Sequence, residues 1–391
     1  MEEKRIFLDH AAGVAVDAAV LEAMLPYLGG EYGNPSSLYK EGVRARRALD
    51  EARERVAACL GAHPEEIIFT SGGTESDNWA VQCGSGEGSI LSSDLEHPAV
   101  WETTQKLARQ GREVVRLPAL PTGVLDVDAL QARLARGGVS FVTLMHANHE
   151  TGVIQPVTEA VEMAHAVGAR LLCDAVQSAA FERIDAHAMG VGYLSISGHK
   201  LGTPRGIGAL YVRRGLQLSP LLYGGGQERG KRSGTESVAL AMGLAVALER
   251  ARDGREAKAA RVAALSAQLL RGLRQIDGVT VNGWAENVPQ LPGTVNVSID
   301  CVSGGALTLW MDRQGVCISP GSACSAAGNH PSRVLLSMGR DEKTAMSAVR
   351  FSLGGQNTSE EVEIALNLMR QGIGKLRSLD LEGSVRYGEM G

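Results

Sequence analysis

The sequence predicts an α/β protein: a large, mostly parallel sheet with helices on both faces, and a smaller α+β domain beside it. Apolar runs alternate with helix-period segments from about residue 50 to about residue 250, the pattern of repeated βα units. The chain has 391 residues, more than one small core fills, and 44% of them are hydrophobic, enough for a sizeable interior.

The elements follow in order. Residues 66–70, 141–145, 170–173 and 193–197 are short apolar runs of strand length. Helical patterns at 44–59, 98–110 and 157–168 lie between strands. Residues 44–55 interleave arginines with acids, which reads as a solvated helix face. The alanine-rich stretch 236–275 predicts one long helix or two, with Gly254 as a break. Two further strands, 279–281 and 294–299, precede more helical patterns. The large domain is placed at 13–255, and residues 1–12 join 256–391 in the small one.

Composition excludes several classes. A net charge of −5 offers no general attraction to nucleic acid or anionic membrane. The N-terminus has no apolar signal region, and no apolar run reaches the length of about 18 residues that spans a bilayer. The six cysteines form no C-x-x-C pair, so free thiols and a cytoplasmic, reducing setting are expected.

In open α/β sheets ligands sit beyond the carboxyl ends of the strands. Four predicted ends here carry capable residues. Ser71-Gly72-Gly73-Thr74 turns a strand into a helix start, which suits an anion cradle or an ordinary turn. Asp174 closes a buried run, where an acid needs a cation or several donors; it would equally cap the next helix. Ser197-Gly198-His199-Lys200 offers an amine for a Schiff base flanked by two phosphate donors, or a surface lysine. His146-Ala147-Asn148-His149-Glu150 is not H-E-x-x-H; Asn148 suits a donor to a ring oxygen or a carboxylate better than a metal site, and no metal is expected. His97, before Pro98, could stack on a flat ring and move protons, or be a plain loop residue. Cys324 sits among small residues, unlike Cys173 in its apolar run, which suits a mobile nucleophile.

Together with Leu8-Asp9-His10-Ala11-Ala12, Tyr32-Gly33-Asn34-Pro35, the run from Gly224 to Thr235 and Arg350-Phe351-Ser352, these motifs resemble the cysteine desulfurases nearly end to end. These are pyridoxal-phosphate enzymes of the class V aminotransferase superfamily. The resemblance implies the aspartate-aminotransferase-like fold of pyridoxal-phosphate transferases. It implies that Lys200 anchors the cofactor, Asp174 pairs with its ring nitrogen, Gln177 meets its ring oxygen and His97 stacks on it. Gly73, Thr74, Ser197 and His199 would hold the phosphate, with Thr235 reaching in from the second subunit of a homodimer. Arg350, with Asn148 and Asn34, would bind the carboxylate of L-cysteine, and Cys324 would take its sulfur as a persulfide. An iron–sulfur scaffold or a tRNA-thiolating enzyme would be the acceptor. The long loop after Cys324 resembles the branch related to nitrogenase and housekeeping iron–sulfur assembly. Gly13 stands where the family usually has Thr, and His149 where a second Asn is common.

Overall fold

The computed structural model describes residues 5–321 and 330–388, with side chains to residue 379. Seven strands form the main sheet, in the order 67–70, 208–212, 193–197, 170–174, 139–143, 89–93 and 114–117. Gly208–Val212 alone runs antiparallel to its neighbours; the other pairings are parallel. Strands of this kind are covered on both faces, and Tyr193–Ser197 and Gly208–Val212 are accordingly buried throughout.

Boundaries differ from the sequence reading in instructive ways. The expected strand 141–145 is Val139–Thr143, because Met145 leaves the ladder to donate its N–H to Glu96 Oε1 at 3.0 Å. Ser89–Ser93 is a strand with few apolar side chains, held by its two neighbours rather than by composition. Gly254 does divide the alanine-rich stretch, into Val238–Asp253 and Arg255–Leu273. The helix Lys40–Cys59 is not solvated throughout: Arg53 is buried and makes two 2.7 Å bonds to the carboxylate of Glu228. Such a paired, forked contact is what makes burial of both charges tolerable.

A second sheet of four antiparallel strands follows, in the order Ser319–Pro320, Ala348–Ser352, Thr294–Ile299 and Val279–Asn282. It has its own apolar core, which includes Val295, Phe351 and Met369. Leu8, from the N-terminal segment, belongs to this second core, and Ile6–Phe7 pairs with Val316–Cys317. The segment carrying Asp9 to Ala12 is thereby strung between the two cores.

The topology brings six strand ends to one edge, together with the start of Gly208–Val212. Gly208 must be glycine there, since a Cβ would lie 2.6 Å from Ile196 O and 2.7 Å from Gly72 Cα. No helix among the described residues is long and apolar enough to cross a membrane.

Candidate active site

A cavity of about 480 Å³ opens at this edge. A larger one, about 680 Å³, touches the other side of Lys200 and Gln177 but includes none of the acids or anion donors below. The smaller cavity is therefore where the chemistry converges.

Its anion cradle is built by the turn from Ile67–Thr70 into the helix Gly73–Gly84. Gly73 opens the helix, and a Cβ there would meet Val176 Cγ2 at 2.7 Å, so only glycine lets the helix start come so close to the loop after Asp174. The free N–H groups of that first turn, with the positive end of the helix dipole, favour an anion. Glu75 in the same turn would oppose one, but Arg232 pairs with it at 2.9 and 3.1 Å. Ser197 touches the cradle, and its Oγ lies 2.8 Å from His199 Nδ1. Burial, then Lys200 and Arg205, depress His199 to about 4, so at neutral pH it acts as a hydrogen-bonding partner and Arg205 supplies charge. Arg205 also lines the cavity.

Asp174 ends the strand Arg170–Asp174 and its Oδ1 accepts from Val176 N at 2.9 Å. Burial raises it to about 6. Lys200 closes a short turn after Tyr193–Ser197, and its Nζ donates to Ala11 O at 2.5 Å. Gln177 Nε2 donates to the same carbonyl at 3.1 Å. His97 caps the helix Pro98–Arg109, its Nδ1 accepting from Ala99 N at 3.1 Å. Burial, then Lys200, lowers it to about 4, so the neutral ring carries its proton on Nε2.

Two of the expected carboxylate ligands lie away from the cavity, and the third is already engaged. Asn148 is fully buried and spends its amide on its own turn: Nδ2 donates to Leu95 O, and Oδ1 accepts from Glu150 N and Thr151 N. It does not line the cavity, whereas the adjacent His149 does, edge-on to His97 with ring centroids 5.3 Å apart. Asn34 is exposed and closes a turn on Ser36 N at 2.9 Å, away from this cavity. Arg350 lines the cavity, but its fork is already engaged, with Nη1 on His149 O at 2.8 Å and Nη2 on Asp9 Oδ1 at 2.7 Å. Any carboxylate bound there shares or displaces those partners.

Thr235 is exposed and lines a smaller neighbouring cavity rather than this one. Cys324 lies outside the described residues. His146 does not line the cavity.

The family model Aminotransferase class-V matches residues 6–365. Cysteine desulfurase IscS of Anaeromyxobacter dehalogenans is 44% identical over 383 residues, covering 96% of this chain and 94% of that protein. The protein of the same name from Methanosarcina thermophila is 38% identical, covering 97% and 94%. A solved structure described as a NifS-like protein superposes with a TM-score of 0.87 at 34% identity, covering 94% of this chain and 98% of that one.

Proposed function

The chain belongs to the class-V aminotransferase family, and on that premise we propose that it is a cysteine desulfurase that moves the sulfur of L-cysteine to Cys324 with pyridoxal phosphate as cofactor. The observation that carries this reading is the convergence of an anion cradle, the buried acid Asp174 and the amine of Lys200 on one cavity.

The residues present fit that cofactor. Gly73, Thr74, Ser197 and His199 suit its phosphate, Asp174 its ring nitrogen, Gln177 its ring oxygen, and Lys200 its aldehyde. An acid buried at the end of an apolar strand is stabilised by gaining a cationic partner, which favours this pairing. When bound, the cofactor supplies an electron sink for the carbon skeleton of the amino acid.

The chain's own groups do the rest. Arg350 orients the substrate carboxylate, a role that keeps it within reach of His149 O and Asp9. Lys200 Nζ takes and returns protons at the substrate carbons, with the Ala11 carbonyl as its resting acceptor. His97, held by its Nδ1 bond, carries its remaining proton on Nε2 and lines the cavity as a neutral hydrogen-bond donor. The Cys324 thiolate attacks the substrate sulfur; the carbon–sulfur bond breaks, a sulfur–sulfur bond forms, and the carbon fragment takes a proton to become alanine. The persulfide then passes to an acceptor thiol, as on an iron–sulfur scaffold or a tRNA-thiolating enzyme. The described cysteines are all unpaired, in keeping with a reducing compartment such as the cytoplasm.

The test follows alanine and sulfide released from L-cysteine under a thiol reductant. Equal amounts of both are expected; pyruvate and ammonia in place of alanine would remove the desulfurase reading.

We also propose a homodimer. Leu25, Leu28, Tyr32, Leu38 and Tyr39, close together in sequence, are exposed, Tyr32 at 82% and Leu38 at 96%, which suits cover by a second subunit. The run from Gly224 to Thr235 is held rigidly through the Arg53–Glu228 and Arg232–Glu75 pairs, yet leaves Thr235 exposed. That suits a hydroxyl presented to a second subunit's phosphate site. Mixing Lys200→Ala with Thr235→Val subunits should restore part of the activity, since one site in each mixed dimer has neither change. No recovery despite verified exchange would assign Thr235 to its own subunit.

A further inference from the structure

We propose that Asp77 is a positioning residue for Asp174: held by Ser195, its carboxyl group shares a proton with that of Asp174 and so orients the Asp174 oxygen that faces the cofactor nitrogen. The inference rests on the pyridoxal-phosphate reading above and assigns a role to a residue that reading leaves idle.

Four observations carry it. Asp77 lies in the first turns of Gly73–Gly84, the helix of the anion cradle, and is only 1% exposed, yet it lines the same cavity as Asp174. Ser195 Oγ donates to Asp77 Oδ1 at 2.5 Å. Ser195 is paired in register with Asp174 on the adjacent strand, so the serine that anchors Asp77 stands beside Asp174. Finally, carboxylate oxygens of Asp77 and Asp174 and a ring nitrogen of His97 lie within 4.8 Å of one another.

Two buried carboxylates at that distance do not both stay ionised, because each removes the other's solvation and adds a like charge. The charged and titratable groups facing them are Glu96 from the loop after Ser89–Ser93, His97 from the next helix, Cys173 beside Asp174, and Lys200. Lys200 is the cation of this set, and it attracts Asp174. Burial, then Asp174, raises Asp77 well above the usual carboxylate range, whereas Asp174 rises only to about 6. Lys200 and the Val176 N–H both favour charge on Asp174, so the shared proton resides mainly on Asp77. Asp174 keeps the negative charge that a ring nitrogen needs, with its Oδ1 already fixed by Val176 N. Without that division either acid could hold the proton, and a protonated Asp174 would be a poor partner for a pyridinium.

The sign for stability follows. An acid whose folded-state proton affinity is raised makes the folded chain lose stability as pH rises above the unfolded carboxylate value, about 4, until the folded group itself ionises. Removing the acid while keeping its shape should abolish that loss.

The experiment compares the wild type with Asp77→Asn and Asp77→Ala, each stripped of cofactor and then titrated with pyridoxal phosphate by absorbance. Asp77→Asn mimics the protonated acid and keeps an oxygen for Ser195. It should retain cofactor affinity within about threefold, and its cofactor-free form should melt at least about 2 °C higher than wild type at pH 8, the gap narrowing toward pH 5. Asp77→Ala leaves the Ser195 hydroxyl without its partner and Asp174 without its proton donor, and should bind cofactor at least about tenfold more weakly. If Asp77→Asn loses affinity as severely as Asp77→Ala, Asp77 serves as a charge and the proposal is wrong. Parallel melting-versus-pH curves for wild type and Asp77→Asn would overturn it as well. Should Asp77→Ala fail to fold, the Asn comparison decides alone. A wild-type chain that binds no pyridoxal phosphate instead ends the cofactor reading, which separates the two failures.

Discussion

Lys200→Ala leaves a folded chain that lacks a borohydride-reducible bond to pyridoxal phosphate and releases alanine at least about 10³-fold more slowly. Two losses combine. Lys200 is the lysine of the cavity that holds the acid and the anion cradle, so among the described residues no neighbouring amine there replaces it as the covalent anchor. It is also the proton carrier, and its Nζ is held at 2.5 Å from Ala11 O, within reach of both that carbonyl and the cavity. The fold should survive. Lys200 ends a short turn rather than a strand, and the groups it leaves, Ala11 O and Gln177 Nε2, remain bonded to each other. Reduction with borohydride followed by peptide mass spectrometry reads the bond. A cofactor still attached to the Lys200→Ala chain would move the anchor to another lysine.

Cys324→Ala separates the early steps from sulfur transfer. Cofactor binding and colour should match the wild type, because the residues that suit the cofactor, among them Gly73, Thr74, Asp174 and Lys200, are unchanged. L-Cysteine should still perturb the absorbance, since Arg350 and Lys200 are intact. Sulfide release under reductant should fall to background, because no thiolate remains to take the sulfur. Serine at the same position should behave as alanine does, which distinguishes a nucleophile from a space-filling side chain. Sulfide release near the wild-type rate from Cys324→Ala would show that an external thiol attacks the substrate directly.

Much of the candidate site was legible because its signals are local. A strand running into glycines and a helix start is recognisable at Thr70–Thr74, and an Asp or Lys just past an apolar run is recognisable at Asp174 and Lys200. What misled the reading was also local: Asn148 and His149 are neighbours of similar polarity. Only the turn, in which Asn148 Oδ1 binds two backbone N–H groups, decides that Asn148 points inward and His149 toward the cavity. The unusual histidine at 149 was visible as a departure that alters contacts to the substrate carboxylate or the ring, and it does line the cavity. Asp77 carried no signal, since an acid in the first turns of a helix is ordinary there.

By itself, the sequence determined the alternation of strands and helices, the helical character of the alanine-rich stretch with Gly254 as a candidate break, and the strand ends that bear the anion cradle, acid and amine. Those properties depend on side-chain period and backbone freedom within a few residues. Tertiary structure alone decided that Arg53 is buried against Glu228, that Asp77 meets Ser195 across 118 residues, and that Arg350 is held by Asp9 across 341. The physical reason is that such charges are placed by the packing of separate elements and by the need to pair whatever becomes buried. No pattern confined to one segment contains the partner.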